Sequence, residues 1–172
     1  MREGTPFDPV AVVRIRTMLE MGLVGLKEII AWADAWVMKL DDPPLWLLEM
    51  CTAPDVATAK GLLYDIPMLP LPATPEERRA ENADHLACLF LRHRRGELSW
   101  GEFLFQGGQY LDRAGGPWPC ETFFMQLNLL ERMGFPEDLM RSQREDIERE
   151  LRDALERMEA AHRRFEAKAR GD

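Results

Sequence analysis

Cys88 lies three residues after His85 and five before His93. On a helix His85 and Cys88 share a face, which is the geometry a thiolate nucleophile with an imidazole base would need. Leu86, Leu89 and Leu91 flank the thiol, however, and a buried free cysteine is the better reading. Glu159-Ala160-Ala161-His162 is a single Glu-x-x-His pair. A helical dinuclear metal centre needs two such pairs among further inward carboxylates, and the second pair is missing. Ser99 and Ser142 are the only serines. Ser99 stands three residues before Glu102 as a helix cap, and no Gly-x-Ser-x-Gly turn exists to build a hydrolytic triad. Gly107-Gly108 and Gly115-Gly116 lack the strand and the lysine of a phosphate loop. Cys51, Cys88 and Cys120 are isolated and odd in number, with no Cys-x-x-Cys spacing. Free thiols in a reducing compartment follow. The expectation is a protein that is not an enzyme and holds no metal or cofactor.

What remains is charge. The chain carries 22 basic and 30 acidic side chains, a formal net charge of −8. No segment is basic, which argues against nucleic acid and anionic membrane surfaces as partners. In the N-terminal half, Asp34, Asp41, Asp42, Glu49, Asp55 and Asp65 lie among Trp32, Trp36, Trp46 and Tyr64. One reading is a plain solvated surface. The sharper one is an acidic, aromatic-studded face suited to a basic protein, since complementary charge speeds association and selects partners. The contact residues expected on that reading are Trp32, Asp34, Asp41, Asp42 and Glu49. Trp32 has a second role open to it, as the roof of a core.

The elements that must position these residues are helices. Of 172 residues, 46% are apolar and 30% charged, which excludes disordered and collagen-like chains. Leu, Ala, Glu and Arg dominate over Val, Ile and Thr, a bias toward helix. No stretch alternates with period two, so no strand is expected. Asp8-Pro9 reads as a cap and first residue of a helix ending at Gly22. A second helix is expected from about Gly25 to Leu40, a short third capped by Asp42-Pro43, and a fourth opened by Pro54 and ending near Ile66. Thr74-Pro75-Glu76-Glu77 and Ser99-Trp100-Gly101-Glu102 are capping boxes. They open helices that stop at Gly96 and Gly115. A further helix runs from about Pro119 to Met133, and the last from near Pro136 almost to Arg170. Four prolines between Pro67 and Pro75 forbid regular helix. The expected fold is therefore all-α, a bundle of about seven helices. Its parts are an N-terminal helical subdomain (1–66), a Pro-rich linker (67–75), a second helical subdomain (76–135) and a long charged C-terminal helix (136–172). Gly22 to Ile30 and Gly96 to Leu104 form a weak internal repeat. Each turns on Gly and starts a helix with Glu near its third residue.

Two helices carry more information. The second is apolar nearly all round, with Leu26, Ile29, Ile30, Ala33, Trp36, Val37 and Leu40 on one face and Ala31, Ala35 and Met38 opposite. Such a helix is expected at the centre of its subdomain. The last has a narrow seam of Ile147, Leu151, Leu155, Met158, His162 and Phe165, coiled-coil-like in spacing. Acid precedes base by four residues in Glu148–Arg152, Asp153–Arg157 and Glu159–Arg163. The seam suits packing on its own body or a homodimer through this helix. Its final turns, from Glu166, are expected to fray.

Residues Gly22 to Ala53 also carry a resemblance. A Gly turn, then Glu28-Ile29-Ile30-Ala31-Trp32-Ala33-Asp34, then Asp42-Pro43-Pro44-Leu45-Trp46-Leu47-Leu48 is similar to sequences among the helical immunity proteins of bacterial polymorphic toxin systems. Those proteins bind and neutralise a cognate toxin. The resemblance implies a non-catalytic binding protein whose acidic face blocks a basic toxin. The alternative is a self-associating structural or adaptor protein that uses the C-terminal helix as a coiled coil. The N-terminus lacks the apolar stretch of a signal peptide, and no run is long enough for a membrane span. A cytoplasmic location is expected.

Overall fold

The backbone follows the punctuation written by its capping residues. In the computed structural model, residues 6, 8–66, 72, 74–115 and 118–171 are described. Among them are eight helices and no strand: α1 (Pro9–Glu20), α2 (Leu26–Val37), α3 (Leu45–Met50), α4 (Val56–Tyr64), α5 (Pro75–Arg94), α6 (Trp100–Ala114), α7 (Cys120–Met133) and α8 (Glu137–Ala169). The Asp8 carboxylate caps α1 by accepting from the Val10 N–H at 3.1 Å. Both expected capping boxes form. Thr74 and Glu77 exchange bonds of 3.1 and 3.0 Å, and Ser99 and Glu102 exchange bonds of 3.2 and 2.7 Å.

Four boundaries differ from expectation. Helix α2 stops at Val37, short of Leu40, with Met38 as its C-cap. Asp42 does not cap α3. Pro43 and Pro44 intervene, and Pro44 in extended backbone is the residue before the helix, without a side-chain cap. Pro54 stays outside α4, whose cap is Asp55, accepting from the Thr58 N–H at 2.7 Å. Pro75 is the first residue of α5 and not part of a linker. The remainder of that Pro-rich stretch lies largely outside the described residues (67–71 and 73).

The chain divides into two units, Met1–Leu71 with Met158–Asp172, and Pro72–Arg157. The long helix α8 is shared between them and is not a separate part. In the first unit α2 is not buried all round. Ile29, Trp32 and Ala33 are its buried residues, and Met38 is 85% exposed. The most enclosed helix of this unit is α1, which buries Val12, Ile15, Met18 and Leu19 together with Arg16 and Thr17. Trp32 sits between the rings of Trp46 (6.4 Å between centroids) and Phe165 (6.1 Å). Phe165 immediately precedes the turns of α8 expected to fray. The helix persists to Ala169 because that side chain is buried in the core.

The second unit is built on α5, which buries every residue from His85 to Leu91. The Trp100 and Phe103 rings stack at 4.8 Å, and Phe90 meets each of them edge-on. Several buried polar groups here are bonded, while the Trp118 indole N–H and the Gln126 side-chain oxygen are buried without a hydrogen-bond partner. The Trp100 indole N–H donates to Gln143 at 2.9 Å. Asn82 donates to the Gly115 carbonyl and accepts from the Tyr110 hydroxyl, both at 3.0 Å. In α8, the pair Glu159–Arg163 forms as spaced, at 3.6 Å. Glu148 and Arg157 turn instead to α5, to Arg94 at 2.6 Å and to Asp84 at 2.7 Å. An exposed pair such as Arg94–Glu148 contributes about 0–1 kcal/mol, so it selects a register more than it stabilises it.

The internal repeat is the same turn used twice. Leu23 N–H reaches the Met18 carbonyl and Gly22 N–H the Leu19 carbonyl, around a left-handed Gly22; Glu97 and Gly96 repeat both bonds onto Arg92 and His93. This is the Schellman pattern. A third copy of its wide bond, Phe135 N–H to the Leu130 carbonyl at 2.9 Å, closes α7 without the following Glu. Shared turn chemistry accounts for the likeness.

Helices α6 and α7 approach closely because α6 carries Gly107-Gly108 on the contact. A Cβ on Gly107 would lie 2.9 Å from the Phe123 ring, and one on Gly108 2.8 Å from the Phe124 ring. Gly61 in α4 has nothing within 4 Å of where its Cβ would be. Two substitutions with equal helix-propensity gain should therefore diverge. Gly61→Ala should raise stability by about 0.5–1 kcal/mol. Gly107→Ala should lower it by about 1–3 kcal/mol through overpacking. Urea unfolding of the two variants checks this, and destabilisation by both, or by neither, would contradict it.

Candidate functional site

The stretch from the middle of α2 to the end of α3 carries the expected acidic residues. Asp34, Asp41, Asp42 and Glu49 are all exposed, and none forms an ion pair among the described residues. Helix α3 is only six residues long. It holds its place by burying Leu47 and Met50, which forces Leu45, Leu48 and Glu49 outward. Leu45 is 69% exposed and Leu48 41%, so carboxylates and aliphatic side chains alternate along this surface.

The aromatic part of the expectation is corrected. Trp32 is 1% exposed and takes the role of core roof, so it has no surface to present. Trp36 and Trp46 are half-buried. Tyr64 is exposed, but its ring carries the Arg16 guanidinium at 4.6 Å. The apolar groups on the face are Met38, Leu45 and Leu48. Met38, expected on the apolar rear face of α2, is instead the exposed C-cap of that helix. The signal against that reading was its position next to Lys39 at the helix end.

Asp34 does more than carry charge. It lies beside Cys51, whose thiol also donates to the Leu47 carbonyl at 3.3 Å. Burial first, then the hydrogen bond and the negative charge of Asp34, push the Cys51 thiol up to about 11. The thiol of Cys120 is also raised, by desolvation and by the neighbouring Glu121 and Asp112 carboxylates. Cys88 is fully buried. His85 is occupied by the Glu81 carbonyl at 2.8 Å and stacks on Tyr110 at 4.5 Å. His162 is buried and sits 3.7 Å from Glu166, while Glu159 pairs with Arg163. Among the described residues no group of three or more His, Cys, Asp or Glu side chains could hold a metal ion. No described helix is long and apolar enough to cross a membrane.

The same unit contains a hollow of about 280 Å³. Ala11, Arg14, Ile15 and Met18 of α1 face Ala161, Arg164, Phe165 and Lys168 of α8 across it. Both helices present small-x-x-Arg-apolar at the same spacing, a pattern visible in the sequence once the two segments are set side by side. No protein-family model, curated protein or solved structure matches the chain. The site therefore has to be read from its own chemistry.

The Asp34–Cys51 pair gives a direct check on the geometry of the acidic face. With the thiol near 11, about one molecule in a thousand is ionised at pH 8. Asp34→Asn removes the negative charge that disfavours the thiolate, so the thiol's pKa should fall and alkylation of Cys51 by iodoacetamide at pH 8 should quicken several-fold. Peptide mapping separates it from Cys88 and Cys120. An unchanged or slower rate at Cys51 would show that Asp34 does not govern it.

Proposed function

We propose that the chain is a non-catalytic protein-binding domain of the immunity type, which holds a basic protein, such as a cognate bacterial toxin, on the α2–α3 face. The observation that carries this reading is the set of exposed, ion-pair-free carboxylates Asp34, Asp41, Asp42 and Glu49 around exposed Met38, Leu45 and Leu48. An apolar centre with a charged surround is how protein interfaces are built. Unpaired carboxylates there attract a basic partner at long range, and the aliphatic groups supply the short-range burial. The overall charge of −8 acts in the same direction. Asp34 sits on α2, held by Ile29, Trp32 and Ala33 in the core, so the face is presented by a packed helix and not by a free loop.

The alternative, self-association through the C-terminal helix, has less to support it. Ile147, Leu151, Leu155, Met158, His162 and Phe165 are all buried within the single chain. A coiled coil would have to expose that seam first. The exposed stripe of Met125, Leu129 and Met133 on α7 is the surface a self-associating chain would use instead.

Co-expression with the product of the neighbouring gene tests the main reading. A complex should form, and Asp41→Lys, Asp42→Lys and Glu49→Lys together should slow its association at least about tenfold and flatten its salt dependence, with no change in melting temperature. Adjacent products that neither bind nor are toxic alone would remove the proposal's support. Truncation after Arg141 separates the two readings. If the seam belongs to the body of the chain, the truncated protein should lose its helical circular dichroism and aggregate. A folded, monomeric product derived from an oligomeric parent would favour the coiled coil.

A further inference from the structure

Helix α7 leaves a row of apolar side chains in solvent that the acidic face does not use. Met125, Leu129 and Met133 are 70%, 43% and 59% exposed. They are spaced four residues apart, so they follow one another along one side of the helix at about one turn each. The opposite side of α7 is occupied. Phe123 and Leu130 are buried, and the Phe123 and Phe124 rings lie against Gly107 and Gly108 of α6. Scattered exposed aliphatic groups are ordinary on a protein surface, whereas a continuous apolar row marks a contact. This row has a charge at each end. Glu121 stands in the first turn of α7 and Arg132 in the last, and both are exposed. Neither forms an ion pair among the described residues. About three turns of helix separate them, which brings both to the same flank of the row.

We propose that α7 is the contact of a weak twofold dimer, in which the row of one copy lies antiparallel on the row of a second copy and Glu121 of each faces Arg132 of the other. An acid at one end and a base at the other make a face complementary to itself under a twofold axis that crosses the helix, and the axis forms the pair twice. In the same register, Met125 of each copy falls within about 1.5 Å, one residue of helical rise, of the level of Leu129 of the other. One alignment therefore satisfies both the charges and the apolar row. A parallel arrangement would set acid on acid and base on base. The contact is small. A helix of 14 residues is about 21 Å long, and a face of that length falls short of the about 800 Å² that each partner gives to a stable interface. The dimer is accordingly weak and reversible. Each copy carries a net charge of −8, but at physiological salt repulsion beyond about 8 Å is largely screened while charges in contact still attract. The flexible thioethers of Met125 and Met133 suit such a surface, because they pack against irregular neighbours. This contact uses α7, whereas the protein-binding face uses α2 and α3 and the coiled-coil alternative uses α8, so each reading can fail without the others.

Sedimentation equilibrium of the full chain across the micromolar range, at physiological salt, tests the proposal. The weight-average mass should rise with concentration from that of one chain toward that of two, and no further. Leu129→Glu, or Met125→Glu at the more exposed of the two positions, should weaken association at least about tenfold while circular dichroism stays unchanged. Glu121→Arg alone and Arg132→Glu alone should each weaken it several-fold, by setting like charges opposite one another. The two together exchange the ends of the row and should restore association to within about twofold of the parent. A chain that stays monomeric throughout, a Met125→Glu or Leu129→Glu variant that associates as the parent does, or a double charge exchange that fails to restore association would each overturn the proposal. A neighbouring gene product that binds the parent but not Met125→Glu would assign the row to a different protein and overturn it as well.

Discussion

The first unit depends on one side chain held between two others. Trp32 of α2 stacks on Trp46 of α3 and on Phe165 of α8, so a single indole ties two neighbouring helices to one from the far end of the chain. Deleting a buried ring of that size costs about 3–5 kcal/mol, a large part of the 5–15 kcal/mol by which a domain of this kind is stable. Everything exposed on α2 and α3 takes its direction from this packing. With Trp32, Leu47 and Met50 inward, Leu45, Leu48 and Glu49 turn to solvent, and Asp34 is exposed beside Cys51. The same indole lines the hollow between α1 and α8.

Charge is sorted within this unit. Carboxylates without ion partners gather along α2, α3 and the turn between them, while Arg14, Arg164 and Lys168 gather around the hollow. The second unit is handled differently. There charges of α8 pair with α5, as in Arg79–Glu150, Arg94–Glu148 and Arg157–Asp84, or along α8 itself, as in Arg141–Asp138 and Arg149–Asp146. Paired charges of this sort orient helices. A protein that acts by presenting a surface needs rigid presentation, because ordering a mobile segment on binding costs affinity. Caps at Asp8, Asp55, Thr74 and Ser99 start four of the helices at defined residues.

Much of the fold was legible in the amino-acid sequence because caps and stops are local. Thr74 with Glu77, Ser99 with Glu102, and the left-handed Gly22, Gly96 and Gly134 act within a few residues of themselves, so their chemistry can be read without knowing the rest. Asp42 shows where this fails. It has a capping side chain, but two prolines separate it from the first helical residue. Burial was less legible, because it depends on neighbours from elsewhere in the chain. The apolar residues of α2 do not reveal which face α3, α4 and α8 will cover, so the sequence pattern alone places Met38 on an apolar rear face and leaves Trp32 with two possible roles. Residues that pair over long distances escaped for the same reason. The spacing Glu148–Arg152 predicted a partner on the same helix, and tertiary structure supplied Arg94. The hollow was invisible because its two walls are about 150 residues apart, and only folding sets Arg14 opposite Arg164.

Hydrogen–deuterium exchange on the chain with and without its neighbouring gene product tests the central claim most directly, since it reads where a partner sits without altering a residue. Amides of α2, the following turn and α3, from Leu26 to Met50, should gain protection in the complex while those of α6 and α7 stay as they were. Protection confined to α6 and α7, or spread evenly over the helices, would contradict the account.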